Sequence, residues 1–94
     1  MTPRRAAKVD KNQPEIVRAL RDAGATVQHT HMIGQGCPDI IVGFRGQNYF
    51  MEIKWAKGQL TADEADWFLM WNGQKNIVRC IDDAYEVIGL EVYP

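Results

Sequence analysis

The sequence predicts an α/β domain: a mixed four-stranded sheet flanked by helices, in the order α-β-β-β-α-β-α. Three observations lead there. Two stretches, 12–24 and 61–73, carry helix-start signals followed by apolar residues at helical spacing. Between them, residues 39–55 alternate apolar and polar on either side of a tight turn, as a half-buried strand pair does. Strand, helix and strand then follow from 48 to 81, the pattern of a right-handed crossover that leaves its two strands parallel. The preceding hairpin is antiparallel, so the sheet is mixed.

At 94 residues the chain suffices for one core, which sets a single domain at 12–94 behind a short basic arm at 1–11. A hydrophobic content of 46% and three tryptophans exclude a disordered chain. No apolar run is long enough to span a bilayer and the N-terminus lacks a signal-peptide core, so a cytoplasmic protein without membrane contact is expected. Cys37 and Cys80 fit neither a metal spacing nor a disulfide framework and are expected to be reduced thiols. The net charge of −1 is unevenly spread: Arg4, Arg5, Lys8 and Lys11 against Asp10 give residues 1–11 a charge of +3, which leaves −4 on the rest. Such an arm is either a phosphate-binding element or a solvated terminus, and both readings are open.

The first helix opens at Asn12-Gln13-Pro14-Glu15, with Asn12 as N-cap, Pro14 in the first turn and Glu15 at the capping-box position. Ile16, Val17 and Leu20 form its apolar stripe and Gly24 ends it. β-branched content predicts a short strand over Thr26–His31, followed by a flexible Gly34-Gln35-Gly36 turn. Strands at about Asp39–Phe44 and Asn48–Trp55 are joined through Arg45-Gly46-Gln47, and Ala56 to Gly58 loops out. Thr61 caps a helix running to Asn72, with Glu64 completing a second capping box. Trp67, Phe68 and Trp71 share one face, at the spacing of a core-facing helix. Ile77–Ile81 reads as the fourth strand, and Asp82-Asp83 start a short amphipathic helix through Tyr85, Val87 and Ile88.

If Gly46 and Gln47 make the hairpin turn, Asp39 faces Lys54 and Ile41 faces Glu52. Alternation then sets Asp39, Ile41 and Gly43 on one side with Phe50, Glu52 and Lys54. The other side takes Ile40, Val42 and Phe44 with Tyr49, Met51 and Ile53, all apolar, and must pack against a helix. Direct cross-strand neighbours stand about 5 Å apart and diagonal ones about 7–8 Å, so Asp39 and Glu52 can aim their oxygens at one point. Two adjacent carboxylates repel unless a cation sits between them or one is protonated. A hard ion such as Mg²⁺ suits them, with waters and substrate phosphate oxygens filling its shell, and Lys54 can reach a water or a scissile phosphate. The competing reading is a buried Asp39–Lys54 ion pair with Glu52 as bystander, which leaves Glu52 unpaired at a cost.

Pro38-Asp39 and, after twelve residues, Glu52-Ile53-Lys54 resemble the signature of the PD-(D/E)XK nuclease superfamily. The wider run, Gly36-Cys37-Pro38-Asp39-Ile40, a hairpin, Met51-Glu52-Ile53-Lys54, then Gly58-Gln59-Leu60-Thr61 and an aromatic helix, is similar to the VRR-Nuc (virus-type replication-repair nuclease) branch. The resemblance implies a restriction-endonuclease-like core and Mg²⁺- or Mn²⁺-dependent hydrolysis of DNA. Asp39, Glu52 and the Ile53 carbonyl would hold the metal, and Lys54 would orient or activate the water and offset transition-state charge. Glu15 matches a first-helix glutamate that joins the metal shell in many relatives, and that role stands beside its capping role. Where relatives carry a glutamine after the ExK motif this chain has Glu64, with Gln59 a few residues earlier.

The resemblance also implies a homodimer acting on branched DNA such as Holliday junctions or flaps, because cutting two strands takes two sites. It implies a phage-encoded protein working in the bacterial cytoplasm, with no organic cofactor. Arg4, Arg5, Lys8, Lys57, Lys75 and Gln59 are the candidate DNA contacts. His29 and His31 alternate on one strand and could contact phosphate or start a zinc site, though no further ligand accompanies them. Trp55 points away from Lys54, into core or a subunit interface. The alternative to an enzyme is a nucleic-acid-binding module with a nuclease-like fold and no chemistry, or a structural domain whose charges form an internal ion network.

Overall fold

A two-residue turn decides how this chain lines up. In the computed structural model, which describes residues 10–91, Arg45 and Gly46 both take positive φ, 51° and 81°. That geometry matches the twist of a tight hairpin, and glycine takes one of the two places without penalty. The strands it joins are β2 (Ile40–Phe44) and β3 (Gln47–Ile53), paired Phe44 to Gln47, Ile41 to Phe50 and Ile40 to Met51. Continuing that ladder by one residue brings Asp39 level with Glu52, not with Lys54 as expected. The shift is by two residues, so no side chain changes face.

Around this hairpin lie α1 (Gln13–Asp22), β1 (Thr26–His29), a 3-10 turn (His31–Ile33), α2 (Ala62–Met70), β4 (Asn76–Val78) and α3 (Ile81–Val87). Strand order is β1-β2-β3-β4, antiparallel at the first two contacts and parallel between β3 and β4. The chain is thus a mixed α/β domain of the predicted element order. No helix among the described residues is long and apolar enough to cross a membrane.

The apolar face of the hairpin is the core. Ile40, Val42, Met51, Ile53 and Val78 are fully buried beneath Ile16, Val17 and Leu20 of α1, Ala84 of α3 and Ile88 just after it. At roughly 1.5–3 kcal/mol for each large side chain, this layer supplies most of the driving force for folding. The Tyr85 hydroxyl donates to the Ala19 carbonyl at 3.1 Å and ties α3 to α1.

Several local expectations give way to tertiary contacts. Asn12 is not a side-chain cap: its backbone is already helical, and its amide donates to the Lys54 and Arg79 carbonyls at 3.1 and 3.0 Å. Glu15 therefore closes no capping box. β1 stops at His29 because the N–H groups of Thr30 and His31 both turn to the Asp39 carbonyl, at 2.8 and 3.2 Å. His31 leaves the strand with them, so the two histidines do not share a strand face. The helix beginning at Ala62 carries the predicted box, with Thr61 and Glu64 capping each other. It is not a core helix, however, and none of its residues is buried. It lies on the opposite, charged face of the sheet, where Phe50 gives Trp67 and Trp71 an edge-on aromatic seat at 5.2 and 5.3 Å. Trp55 lies beyond β3, 49% exposed, with the Lys11 ammonium 4.3 Å from its ring centre.

Candidate active site

Asp39 enters β2 from a loop pinned on both sides. Its carbonyl takes the two N–H bonds from Thr30 and His31, and the Thr30 hydroxyl donates to the Pro38 carbonyl at 2.7 Å. Its carboxylate crosses to β3 and accepts the Ile53 N–H at 2.7 Å. Ile53 pairs in parallel with Val78, whose carbonyl takes the Lys54 N–H, so the Ile53 N–H and C=O both turn the other way, toward the Asp39 side. Glu52 projects beside Asp39 from the sheet and is 1% exposed, with Oε1 buried and without a hydrogen-bond partner.

Lys54 follows two residues on, on the same face. Its ammonium lies 3.4 Å from Glu52 Oε2 and 2.7 Å from Glu64 Oε1. The ion pair is therefore not the Asp39–Lys54 bridge of the competing reading. Glu64 serves two purposes at once: the oxygen that accepts the Lys54 N–H also accepts the Thr61 N–H of the capping box, at 2.8 Å. The first turn of α2 is thereby fastened to the end of β3.

These groups line a cleft of about 520 Å³. Its walls are the Gly34–Cys37 turn on one side and Thr61, Asp63 and Glu64 on the other, with Asp10 and His31 at its margin. Gly36 sets the width. It has φ +81°, and a Cβ there would run into the Asp63 carbonyl group, so only glycine permits the turn to lie against α2.

The electrostatics are those of a site short of positive charge. Burial, with the charges of Asp39 and Glu64, pushes Glu52 up to about 9. Burial also raises Asp39, against the Ile53 N–H bond and a hydrogen bond from the protonated Glu52 carboxyl, both of which work the other way. Burial would lower Lys54, but the bond to Glu64 and the charge of Glu52 outweigh it and hold the ammonium above its ordinary value. Glu64 moves down despite its own burial, because Lys54 and the Thr61 N–H stabilise its carboxylate.

A hard divalent cation fits this donor set. The unpartnered Glu52 oxygen, the neighbouring Asp39 carboxylate and a strand carbonyl on the same side suit an ion that keeps most of its waters. Among the described residues, no group of three or more His, Cys, Asp or Glu side chains is placed to hold a metal ion, so protein carboxylates would supply at most two of its ligands. His29 and His31, with ring centres 6.1 Å apart, gain no third donor among them.

The other expected positions scatter. Glu15 is exposed on α1 and does not line the cleft. Lys57 and Gln59 sit in the exposed loop after β3, Gln59 donating to the Lys57 carbonyl, and the Lys75 ammonium donates to the Trp71 carbonyl. Arg4, Arg5 and Lys8 lie outside the described residues. Cys37 and Cys80 are free, and burial pushes the Cys37 thiol up. Gly36, part of the motif run, shapes the cleft, and Asp10 and Asp63 join the site without being expected there. For Gly36 the sequence holds a signal, a Gly-x-Gly turn three residues before the motif aspartate; for the two acids it holds none. No family model, curated protein or solved structure matches the chain.

Proposed function

We propose that the protein is a Mg²⁺- or Mn²⁺-dependent endodeoxyribonuclease with a restriction-endonuclease-like core, a member of the VRR-Nuc branch of the PD-(D/E)XK superfamily. The observation that carries this reading is the pairing of Asp39 with a buried Glu52 whose Oε1 has no partner and whose Oε2 lies 3.4 Å from the Lys54 ammonium. Two crowded carboxylates are costly to a fold that has no cation to place between them.

Asp39, Glu52 and the Ile53 carbonyl would hold the ion, which when bound would polarise the phosphate and make water more acidic. Lys54 stands at the edge of that position and offers a preorganised positive charge to the oxygens that gain charge as water oxygen bonds to phosphorus and a P–O ester bond breaks. Glu64 orients Lys54 and keeps it protonated, so Lys54 acts as an electrostatic and hydrogen-bonding group. The attacking water loses its proton to surrounding water, and the leaving oxygen takes one from water in turn. Thr61 and Gly36 are positioning residues, acting through the place of Glu64.

A single cleft cuts one bond. Cleavage of both strands at a branch requires two clefts, and we place the active form as a homodimer acting on branched DNA in the cytoplasm of a phage-infected bacterium. The test is a cleavage panel of four-way junctions, flaps, forks and linear duplex with Mg²⁺ or Mn²⁺. We expect cutting of branched substrates that is lost in EDTA and in Asp39→Ala. Tight binding with no cleavage in either metal would instead favour a catalytically silent DNA-binding module, a reading to which the double engagement of Lys54 lends some weight. Neither binding nor cleavage would leave an internal ion network.

A further inference from the structure

A second hollow, about 660 Å³, lies between α1 and β1 and is floored by Gln13. Arg18, Arg21 and His29 line it, with Asp22 as its one acid. His31 lines both this hollow and the acidic cleft, so the two meet at that residue. We propose that this groove seats the phosphodiester backbone of the substrate strand as it leaves the cleft, an inference that rests on the nuclease reading above.

Charge gives the direction. The cleft is edged by Asp10, Asp63 and Glu64 as well as its two central carboxylates, with Lys54 the one lysine or arginine among the described residues of its lining, so a strand crossing it meets net repulsion. The body from residue 12 onward carries −4, so a run of cations on it is a departure from its surroundings. Arg18 and Arg21 are three residues apart on α1 and therefore project on one helix face. Arg21 commits one N–H to the Val27 carbonyl at 3.3 Å and keeps donors free, since guanidinium has five.

The floor is built, not incidental. Gln13 is 2% exposed, its Nε2 lies 3.4 Å from His29 Nδ1, and its Oε1 has no partner. His31 Nδ1 is likewise buried and unpaired. Buried polar atoms without partners are costly, and water held under a bound strand would donate to the Gln13 oxygen and bridge it to phosphate. Lys57 and Lys75, the two sequence-suggested cations among the described residues, line neither hollow.

The test is anisotropy of a fluorescein-labelled four-way junction in Ca²⁺, titrated at KCl from about 50 to 200 mM, where phosphate contacts dominate the salt dependence. Arg18→Ala/Arg21→Ala should weaken binding ten-fold or more at low salt and flatten the log Kd against log[KCl] slope by about 1.8, roughly 0.9 for each phosphate left without its arginine. Arg18→Ala alone, which removes a side chain that Arg21's bond to Val27 does not need, should flatten it by about 0.9. Arg18→Lys/Arg21→Lys should restore the slope. An unchanged slope in the double alanine variant, or the full effect appearing in Lys57→Ala/Lys75→Ala instead, overturns the groove. If the wild type cuts junctions with Mg²⁺ yet the slope is unmoved, only the groove assignment falls. If it neither binds nor cuts, the nuclease reading falls and takes the groove with it.

Discussion

Glu52 is the residue on which the energetics turn. Its folded value, pushed up to about 9 from an ordinary 4.5, means that the folded chain holds a proton the unfolded chain releases. The sign follows from linkage: stability from this group is fully present below pH 4.5 and is lost as pH rises through the interval to about 9. Denaturant titrations in EDTA at pH 5, 7 and 9 should therefore show the metal-free protein weakening with pH. Glu52→Gln, which cannot ionise, should flatten that trend and stabilise the metal-free protein at pH 8 by on the order of 2 kcal/mol while abolishing cleavage. A stability–activity trade of this kind separates a site residue from a bystander, whose replacement would leave turnover intact. Lys54 makes the complementary case. Lys54→Met should keep divalent-ion affinity by calorimetry and lose turnover by about 10²–10³, the loss typical of one preorganised transition-state donor.

At the level of elements, the site depends on how closely α2 approaches the Gly34–Cys37 turn. A methyl at position 36 would collide with α2 backbone at Asp63, so Gly36→Ala should push the first turn of the helix outward and separate Glu64 from Lys54. We expect a lower Tm and at least ten-fold slower cleavage, with far-UV circular dichroism unchanged. Thr61→Ala removes one partner of the capping box and should cost about 1 kcal/mol of stability together with part of the activity. The same elements show what a sequence can disclose. The Thr61–Glu64 box is legible because both partners are local. The true role of Asn12 is not, because its side chain serves backbone carbonyls far along the chain, those of Lys54 and Arg79. The aromatic spacing of Trp67 and Trp71 gives the helix a face but not what covers it, and here Phe50 provides the seat. The hairpin register depends on whether Arg45 accepts a positive φ, which no alternation pattern encodes. Grouping Asp39, Glu52 and Lys54 on one face survives the two-residue shift, because faces depend only on parity.

For the whole molecule, one sheet face carries the core and the other carries the chemistry. The core face is closed by α1 and α3, while the other is only partly covered, leaving Leu69, Met70, Trp71 and Ile77 exposed by 81, 77, 40 and 39%. Sedimentation velocity at micromolar concentration should give a dimer for the homodimer proposed here; a monomer that still cuts both strands of a junction would contradict it. The central claim is narrower than dimerisation or substrate choice: Asp39 and Glu52 share one divalent ion. Calorimetric titration of Mn²⁺ into the wild type, Asp39→Asn and Glu52→Gln tests it directly. We predict tight uptake at the paired carboxylates by the wild type and its loss in each variant. Wild-type protein that takes up no Mn²⁺, or variants that bind it as the wild type does, would contradict the account.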